Sequence, residues 1–258
     1  MKTEILFEDR EILVVYKPMG IATQAAGSTQ ADVVSELKNY LASGDQTGSH
    51  RGEKRAPYLG VIHRLDQPVE GILVFAKTPQ AAAVLSRQVT DRSLKKEYLA
   101  AVLLEDEKTV EGKTELPSEK KVLTDYLIKD GRTNISVVGK QSDHNAKKAV
   151  LSYQIQKIEK TKSRSNESET AINAIALLKI ELETGRHHQI RVQLANAGMP
   201  LLGDLKYGSQ LSKSLSQELG IRDVALCAHR LLFLHPKTGK KEEFTVLPQK
   251  PVLRDLTG

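Results

Sequence analysis

The sequence predicts an α+β protein with a largely antiparallel or mixed sheet and flanking helices. Three observations indicate this class: strand patterns cluster between residues 95 and 183, helix patterns are few, and strands and helices do not alternate strictly. The chain has 258 residues, 40% of them hydrophobic, which is enough to bury a sizeable core. We expect residues 1–258 to form a single domain.

The N-terminal part has the patterns of a hairpin, a helix and a loop. Two extended runs, Glu4–Phe7 and Ile12–Lys17, flank a charged turn, and Pro18 and Gly20 end the second run. In DVVSELKNYLA the apolar residues recur at helical intervals. The polar stretch over residues 43–58 then predicts an exposed loop.

The middle of the chain predicts a strand, a helix and then a series of strands. GILVFAKT is apolar enough for a buried strand, and Thr78 followed by Pro79 is typical of a helix start. Apolar and polar residues alternate in VLTDYLIKD, TNISVVG, AVLSYQIQKIE and INAIALLKIELE, which predicts antiparallel neighbours. The polar insert KTKSRSNESET, residues 160–170, predicts a hairpin tip.

The C-terminal part predicts one helix and two strands. In ETGRHHQIRVQLANAG, Ile190 and Leu194 share a helical face, and Asn196 and Gly198 are suited to end the helix. CAHRLLFLHP and KEEFTVLP return to strand patterns.

Charge and cysteine content favour a polyanionic partner and a reducing compartment. The formal net charge is +6, which suits nucleic acid. Cys227 is the only cysteine, which excludes an internal disulfide and any multi-cysteine metal site. No apolar run approaches the roughly 20 residues that a membrane-spanning helix needs, so we expect a cytoplasmic protein that enters no membrane.

The stretch GVIHRLDQPVEG places one carboxylate, Asp66, among chemically capable neighbours. Asp66 precedes a predicted buried strand, and Pro68 and Gly71 keep the segment out of regular helix, which suits presentation of the side chain to a cleft. The alternative is a structural carboxylate that pairs with Arg64. Taken alone, this stretch leaves both interpretations open.

A second polar group lies in TGRHHQIR, at a predicted helix start: Arg186, His187, His188, Gln189 and Arg191. On a helix, His187 and Arg191 share a face, whereas His187 and His188 point in different directions. Donors at a helix N-terminus suit a phosphate or carboxylate, and the alternative is a solvated basic face. The segment lacks a His-x-x-x-His pair, so we expect no metal site.

A tyrosine, Tyr98, follows two lysines in LKKEYLAAV, where on its own it is ordinary strand core. Together with the two stretches above, this segment resembles one family, the RluA-type RNA pseudouridine synthases. The similar segments are ILVVYKPMGI, HRLDQPVEGILVFAK, KKEYLA, KKAVLSY, TGRHHQIRVQLANAGMPLLGDLKYG and LCAHRLLFLHPKTGKKEEF, in the family's order. The resemblance implies the pseudouridine synthase fold, with a catalytic cleft, and an isomerase that uses no cofactor and no metal.

The resemblance also implies the catalytic residues. Asp66 is the expected nucleophile, Tyr98 the aromatic ring that packs on the target base, and Arg191 the partner of the Asp66 carboxylate. An adjacent arginine lowers the pKa of an aspartate by roughly 1–3 units, which keeps a buried acid ionised. The implied substrate is a uridine of ribosomal or transfer RNA that leaves its stack to reach the acid.

Further residues are expected to contact the RNA. They are His63, Arg64, Arg186, His188 and Gln189, with the lysines at positions 95, 96, 147 and 148. Phosphate contacts of this kind make binding depend on salt. We expect a monomer, with no separate RNA-binding domain ahead of the core.

Three residues, at two places in the chain, depart from the family's usual pattern. Val69, Glu70 and Gly71 stand where a Thr-Ser-Gly run is common, and Gln193 stands where a histidine is frequent. Glu70 either adds a negative charge near Asp66 or faces away and orders the loop through Arg64.

Two other functions fit parts of the sequence. A catalytically silent RNA-binding protein of the same fold would show the same charge. A metal-dependent phosphoesterase would use His63, Asp66 and His187, although the sequence lacks a paired-carboxylate metal pattern.

Overall fold

The computed structural model describes residues 2–25, 31–44, 57–105, 119–164 and 170–257. Within these residues the chain forms eleven strands and five helices. In chain order they are β1 (Glu4–Glu8), β2 (Ile12–Lys17), α1 (Val33–Gly44), β3 (Gly60–Val61), β4 (Glu70–Ala76), α2 (Pro79–Thr90), β5 (Lys95–Leu104), β6 (Lys121–Asp130), β7 (Ile135–Gly139), β8 (Lys147–Arg164), β9 (Thr170–Leu182), α3 (Gln189–Asn196), α4 (Gln210–Glu218), β10 (Leu226–Leu234), β11 (Lys241–Thr245) and α5 (Pro251–Thr257).

The chain divides into two compact units. The first consists of Met1–Lys96 and Ala228–Val246, and the second of Glu97–Cys227 and Leu247–Gly258. Both units combine antiparallel strands with helices, which confirms the predicted α+β class. The expectation of a single domain stays a prediction.

In the first unit, β2 lies between β1 and β4 and pairs antiparallel with both. Strand β3 pairs antiparallel with the end of β4, and β11 pairs antiparallel with β10. Every residue of β2 and β4 is buried, as expected for central strands that are covered on both faces. The core cluster includes Ile12, Val14, Ile72, Val74, Leu85 and Phe233.

In the second unit, the strands follow the order β5–β9–β8–β6–β7, and each neighbouring pair is antiparallel. Strand β5 is buried from Glu97 to Leu104, which matches its apolar sequence. Helix α3 packs through Val192 against Leu127 and Ala149 of β6 and β8. This contact fixes the helix that carries Arg191 to the sheet of its own unit.

The predicted hairpin and the predicted helix start are both confirmed. In the turn between β1 and β2, Asp9 Oδ1 accepts hydrogen bonds from the backbone N–H groups of Glu11 and Ile12 at 2.7 and 2.8 Å. At the start of α2, Thr78 Oγ1 accepts a hydrogen bond from the backbone N–H of Ala81 at 3.1 Å, and a proline occupies the first turn.

Several element boundaries differ from the sequence prediction. Helix α1 continues to Gly44, so the loop expected from residue 43 begins later, and residues 45–56 lie outside the described residues. Strands β8 and β9 extend into the polar insert and pair as far as Arg164 and Thr170, because ladder bonds join backbone groups whatever the side chains are. Residues 165–169 of the predicted hairpin tip also lie outside the described residues.

Three elements were not predicted from the sequence: β3, α4 and α5. Helix α4 buries only a narrow stripe that includes Leu215 and two serines, so its apolar periodicity is weak. Its start does carry a local signal, because Ser209 Oγ accepts a hydrogen bond from the backbone N–H of Ser212 at 3.0 Å.

Candidate active site

Asp66 lies on the irregular segment between β3 and β4, in the first unit, as the sequence predicts. Its side chain is half-buried. The backbone N–H of Val69 donates to the Asp66 carbonyl at 3.0 Å, which closes a turn directly after the acid. Pro68 lies inside this turn, and β4 begins immediately after it at Glu70.

The residues on both sides of Asp66 are held by the segment that follows β2. Leu65 and Thr23 exchange two hydrogen bonds, with Thr23 Oγ1 donating to the Leu65 carbonyl at 2.9 Å and accepting from its N–H at 3.1 Å. On the other side, Gly20 N–H donates to the Gln67 carbonyl at 2.9 Å, and the Gln67 side-chain amide donates to the Gly20 carbonyl at 3.0 Å. The backbone at Asp66 is therefore fixed from two directions.

Lys17 is the last residue of β2, and its long side chain is fully buried, with 0% exposure. Its ammonium donates to three backbone carbonyls: Pro18 at 2.9 Å, Ile21 at 2.8 Å and Gln67 at 3.1 Å. Three acceptors match the three N–H donors of an ammonium and compensate for its loss of water. Lys17 therefore joins the end of β2 to the residue that follows Asp66.

The glycine that closes the stretch, Gly71, is required by its surroundings. Its φ angle is +127°, and a Cβ placed there would lie 2.4 to 2.7 Å from the backbone of Ala228. Any other residue would collide with that strand and strain its own backbone.

Glu70 has a partner that the sequence did not predict. Its side chain is fully buried, and the hydroxyl of Tyr16 donates to its Oε2 at 2.6 Å. Tyr16 is itself 3% exposed and lies on β2. A hydrogen bond to a carboxylate is shorter and stronger than one between neutral groups, so this bond offsets part of the cost of burying Glu70.

His63 is half-buried, and its ring nitrogen Nδ1 is enclosed by the protein. Its Nε2 accepts a hydrogen bond from the backbone N–H of Val74 at 3.3 Å, and its Nδ1 is buried with no hydrogen-bond partner among the described residues. Burial, with a smaller contribution from the positive charge of Lys96, lowers the pKa of His63 to about 3. A neutral ring brings no positive charge to a phosphate, so this geometry favours a structural role over the predicted RNA contact.

The side chains of Arg64 and Lys95 are exposed, whereas burial lowers the pKa of Lys96. Arg64 and Lys95 thus carry charge at the surface of the first unit, as an RNA contact requires. Of Lys95 and Lys96, Lys96 is the less suited to a phosphate contact, because loss of water destabilises the charged form of its side chain.

In the second unit, Tyr98 lies on β5 opposite Ile180 of β9. Its side chain is buried, with 5% exposure. The residues of β5 from Glu97 to Leu104 are all buried, so burial along the strand does not separate Tyr98 from the apolar residues that follow it.

Arg191 lies on α3 and forms a two-pronged ion pair with Asp204. Its Nε donates to Asp204 Oδ2 and its Nη2 to Asp204 Oδ1, both at 2.7 Å. Both side chains are almost completely buried. The same carboxylate accepts the backbone N–H groups of Lys206 and Tyr207, and the Tyr207 ring lies 5.1 Å from the guanidinium carbon. Arg191 is therefore held rigidly by the loop after α3.

The start of α3 differs from the prediction. The helix begins at Gln189, and His188 precedes it with a left-handed φ of 52°. His187 therefore lies outside the helix and does not share a helical face with Arg191. The two histidine rings do not point apart: they stack with centroids 3.7 Å apart. The reason is the left-handed residue, which turns the chain before the first helical turn.

His187 and His188 are both tied into their own unit. The hydroxyl of Ser136 lies 2.9 Å from His187 Nδ1, and Asn134 Oδ1 lies 3.0 Å from its Nε2. The hydroxyl of Tyr207 lies 2.7 Å from His188 Nδ1. Both nitrogens of His187 thus have protein partners, which argues against its use as a metal ligand in a phosphoesterase.

Gln189 is 3% exposed, and its side-chain amide forms hydrogen bonds within the second unit. Its Oε1 accepts from Thr184 Oγ1 at 2.8 Å and from the backbone N–H of Arg186 at 2.9 Å, while its Nε2 donates to the Val150 carbonyl at 3.1 Å. These bonds shape the loop before α3 and favour a structural role over the predicted RNA contact. His188 is buried in the same way, with 8% exposure.

Arg186 and the lysines at positions 147 and 148 are exposed. Arg186 Nε donates to the backbone carbonyl of Lys148 at 3.0 Å, which places the guanidinium beside the start of β8. This surface of the second unit carries the positive charge that the sequence predicts for RNA contact.

Gln193, which stands where the family often has a histidine, is fully buried. Its Nε2 donates to Asp125 Oδ2 at 2.7 Å and to the Ala149 carbonyl at 3.3 Å. Its Oε1 is buried without a hydrogen-bond partner among the described residues. The side chain thus joins α3 to β6 and β8 rather than facing solvent.

Two features of the described residues bear on metal binding and on membrane insertion. In the described part of the chain, histidine, cysteine, aspartate and glutamate side chains form no group of three or more that could hold a metal ion. None of the described helices is both long enough and apolar enough to span a bilayer.

Sequence reasoning missed four residues that shape the site: Lys17, Tyr16, Asp204 and Tyr207. Asp204 and Tyr207 lie in GDLKYG, a segment that resembles the family's sequence but whose residues have no predicted role. Tyr16 and Lys17 lie in ILVVYKPMGI. A lysine at the end of such an apolar strand is a signal of a buried charge that has hydrogen-bond partners.

Solved structures resemble this fold. The structure titled human RNA pseudouridylate synthase domain containing 4 aligns with a TM-score of 0.64 over 95% of this chain and 89% of that chain, at 22% identity. The structure titled human RNA pseudouridylate synthase domain containing 1 aligns with a TM-score of 0.67 over 98% and 86% of the two chains, at 20% identity. At these identities the similarity shows the pseudouridine synthase fold, as predicted.

Sequence relatives carry matching names. A ribosomal large subunit pseudouridine synthase D of Zymomonas mobilis is 32% identical over 95% of this chain and 69% of its own length. The enzyme of that name from Nitrosomonas europaea is 33% identical over 92% of this chain and 59% of its length. A tRNA pseudouridine synthase C of Haemophilus ducreyi is 29% identical over 96% and 91%.

The sequence model of one family, described as RNA pseudouridylate synthase, matches residues 11–196 of this chain. The match contains Asp66, Tyr98 and Arg191, and it covers well over half of the chain. The resemblance found in the sequence is thereby confirmed, and the chain belongs to the RNA pseudouridine synthases of the RluA type.

Proposed function

We propose that this enzyme converts specific uridines of ribosomal or transfer RNA to pseudouridine, with Asp66 as the catalytic carboxylate. The observation that carries the proposal is the family match over residues 11–196, which includes the whole stretch around Asp66. The names of the relatives support both RNA classes, because they include ribosomal and transfer RNA enzymes.

The reaction explains why a carboxylate is needed. The bond between the base and the sugar breaks, the base turns, and a new bond joins the sugar to a base carbon. Asp66 either attacks the anomeric carbon, as a glycosidase carboxylate does, or removes a proton from the neighbouring sugar carbon. In both routes Asp66 acts in its ionised form, and the hydrogen bonds that fix the backbone at Leu65 and Gln67 support a fixed position for it.

We propose that Arg191 serves as the cationic partner of Asp66 during this reaction. A guanidinium has five N–H donors, and the pair with Asp204 uses two of them. The pair with Asp204 would hold the guanidinium in a fixed plane, so the partner of the nucleophile would need no reorganisation during catalysis.

Tyr98 is the proposed ring that packs on the target base. Moving a uridine out of its stack costs a few kcal/mol of free energy, and this cost is smallest for a base that already lies in a loop or single strand. Stacking of a base on an aromatic ring contributes about 1–3 kcal/mol of binding free energy, which offsets part of that cost. The proposed substrate is therefore a flipped-out uridine in an unpaired region of the RNA.

The proposed phosphate contacts come from exposed cations, chiefly Arg64, Arg186, Lys147 and Lys148. Such contacts position the RNA without reading its sequence. We also propose that the enzyme acts as a monomer in the cytoplasm, where both RNA classes occur and where a single cysteine stays reduced. Sedimentation at micromolar concentration would test the monomer.

The function is tested with uridine-labelled bulk RNA and analysis of the nucleosides for the carbon-linked isomer. We expect product from the wild type and none from Asp66→Ala or Asp66→Asn, because both variants lack the ionised carboxylate. RNA binding should change little in either variant, since one position among many phosphate contacts is minor.

The control variant is Asp143→Asn, which changes an exposed aspartate of the second unit. It should keep wild-type turnover. Product from either Asp66 variant would contradict the nucleophile assignment. Binding without any product in the wild type would instead favour the alternative, a catalytically silent RNA-binding protein.

A further inference from the structure

We propose that Glu70 and Tyr16 form a positioning pair that sets the orientation of Asp66, an inference that rests on the proposed function. Both side chains are almost completely buried, with exposures of 0% and 3%. The Tyr16 hydroxyl donates to Glu70 Oε2 at 2.6 Å. The sequence leaves open whether Glu70 adds negative charge near Asp66 or orders the loop through Arg64, and it predicts no role for Tyr16.

The pair joins the turn at Asp66 to β2. Glu70 is the first residue of β4 and follows directly on the turn that the Val69 N–H closes onto the Asp66 carbonyl. Tyr16 lies on β2, opposite Ile72 in the ladder with β4. The side-chain bond therefore fastens the exit of the turn at the point where the backbone ladder between the two strands begins.

The bond completes a set of anchors that all come from one segment, Tyr16–Thr23. Thr23 holds the residue before Asp66, and Lys17 holds the carbonyl of the residue after it. The Tyr16 bond holds the residue after the turn. A nucleophile that must meet a sugar carbon tolerates little displacement, since a shift of about 1 Å is enough to lower a rate on the order of 100-fold.

Glu70 is a feature of this chain, because a serine is common at the corresponding position of the family. The glutamate side chain carries its oxygen two bonds farther from the backbone than serine does, so it reaches the hydroxyl on the neighbouring strand. That hydroxyl gives Oε2 of the buried side chain a hydrogen-bond partner in place of water. Glu70 is thus a positioning residue and does not itself touch the substrate.

The first test compares two tyrosine variants in the same unit. Tyr16→Phe removes only the hydroxyl of the buried pair. Tyr40→Phe removes a matched hydroxyl from an exposed pair, in which Tyr40 donates to Glu8 Oε2 at 2.9 Å. We expect Tyr16→Phe to lower kcat on the order of 10-fold while KM stays within about twofold, because the RNA still binds but the acid is displaced. Tyr40→Phe should leave both values at the wild-type level.

The second test varies the acceptor. Glu70→Gln keeps a side-chain oxygen for the Tyr16 hydroxyl, and we expect it to retain most of the wild-type kcat. Glu70→Ala should lose as much kcat as Tyr16→Phe, and the double variant should lose no more than either single variant, because the two groups act through one bond.

Amide hydrogen exchange gives a readout that does not depend on turnover. In Tyr16→Phe the N–H of Val69 should exchange faster, while that of Val74 in the middle of β4 should exchange at the wild-type rate. Equal acceleration at both positions would show a general loss of stability and would overturn the inference. So would wild-type kcat in both Tyr16→Phe and Glu70→Ala.

The two proposals fail in different ways. If the wild type forms no pseudouridine, the proposed function fails and this inference fails with it. If the wild type is active, Asp66→Ala is inactive and Tyr16→Phe keeps full kcat, only the positioning role is refuted.

Discussion

Several charged residues of this protein are buried, and three of them, Lys17, Glu70 and Arg191, are stabilised by different kinds of partner. Lys17 donates to three backbone carbonyls, Glu70 accepts from a tyrosine hydroxyl, and Arg191 pairs with a carboxylate. Burying a charge costs several kcal/mol unless such partners replace water. Arg191 is itself a predicted catalytic residue, Lys17 bonds the residue after Asp66, and Glu70 follows the Asp66 turn, which is where a protein gains most from fixing side chains in place.

The lowered pKa of half-buried His63 predicts a dependence of stability on pH. Its pKa in the folded state is about 3, below its ordinary value of 6.5. Between these values the unfolded state binds more protons, so the free energy of unfolding falls as pH falls below 6.5, by about 1.4 kcal/mol for each pH unit. We expect His63→Gln to remove this slope in urea unfolding measured between pH 7.5 and 5.

The control for that measurement is His144→Gln, which changes an exposed histidine of the second unit. It should leave the slope of the wild type unchanged. If wild type and His63→Gln lose stability in parallel as the pH is lowered, the assignment of a neutral buried ring is wrong.

At the scale of elements, α3 depends on contacts with its own sheet and with the loop that follows it. Its N-terminal loop is shaped by the Gln189 amide, its middle is joined to β6 by Gln193, and Arg191 ties it to Asp204. The helix has eight residues, which is too short to be stable by itself in water. Polar tertiary contacts therefore decide where it starts and how it is oriented.

The ion pair between Arg191 and Asp204 is expected to contribute strongly to stability. Asp204→Ala removes two bonds to a buried guanidinium and two to backbone N–H groups, and should lower the free energy of unfolding by about 3–5 kcal/mol. Chemical denaturation followed by circular dichroism measures this loss.

The comparison variant is Glu243→Gln, which weakens the exposed pair of Glu243 with Arg230. That change should cost less than about 1 kcal/mol, because exposed ion pairs are screened by water and salt. Similar losses for Asp204→Ala and Glu243→Gln would contradict a special role of the buried pair.

At the scale of the whole molecule, the net charge of +6 is modest, so its effect on RNA binding depends on where the exposed lysines and arginines lie. Arg186, Lys147 and Lys148 place positive charge at one surface of the second unit, whereas His188 and Gln189 are buried and His63 is half-buried with its ring bonded to the backbone. The expected RNA contacts thus separate into exposed cations that suit phosphates and interior groups that shape loops.

Salt dependence of RNA binding tests this separation. Arg186→Ala should weaken binding to different RNA sequences about equally and reduce the slope of log K against log salt by about 1 unit. Gln189→Ala should leave that slope unchanged, because it removes no charge, and should instead lower the unfolding midpoint. An unchanged slope in Arg186→Ala would remove this arginine from the proposed RNA surface.

By itself, the sequence determined the α+β class, most strands, the capped start of α2 and the family. These features depend on signals that lie close together in the chain, such as alternating apolar residues, a threonine before a proline, and the HRLD and TGRHHQIR stretches. Asp66 could be singled out for the same reason, since its neighbours in sequence carry the family resemblance.

Only the tertiary structure decided the partners of the buried polar groups. Tyr16 and Glu70 are 54 residues apart, Lys17 and Gln67 are 50 apart, and Gln193 and Asp125 are 68 apart. Strand pairing and helix packing bring such residues together, and no local pattern records which of them will meet. A buried charge must find a partner, and only the fold decides which charges are buried and which partners they meet.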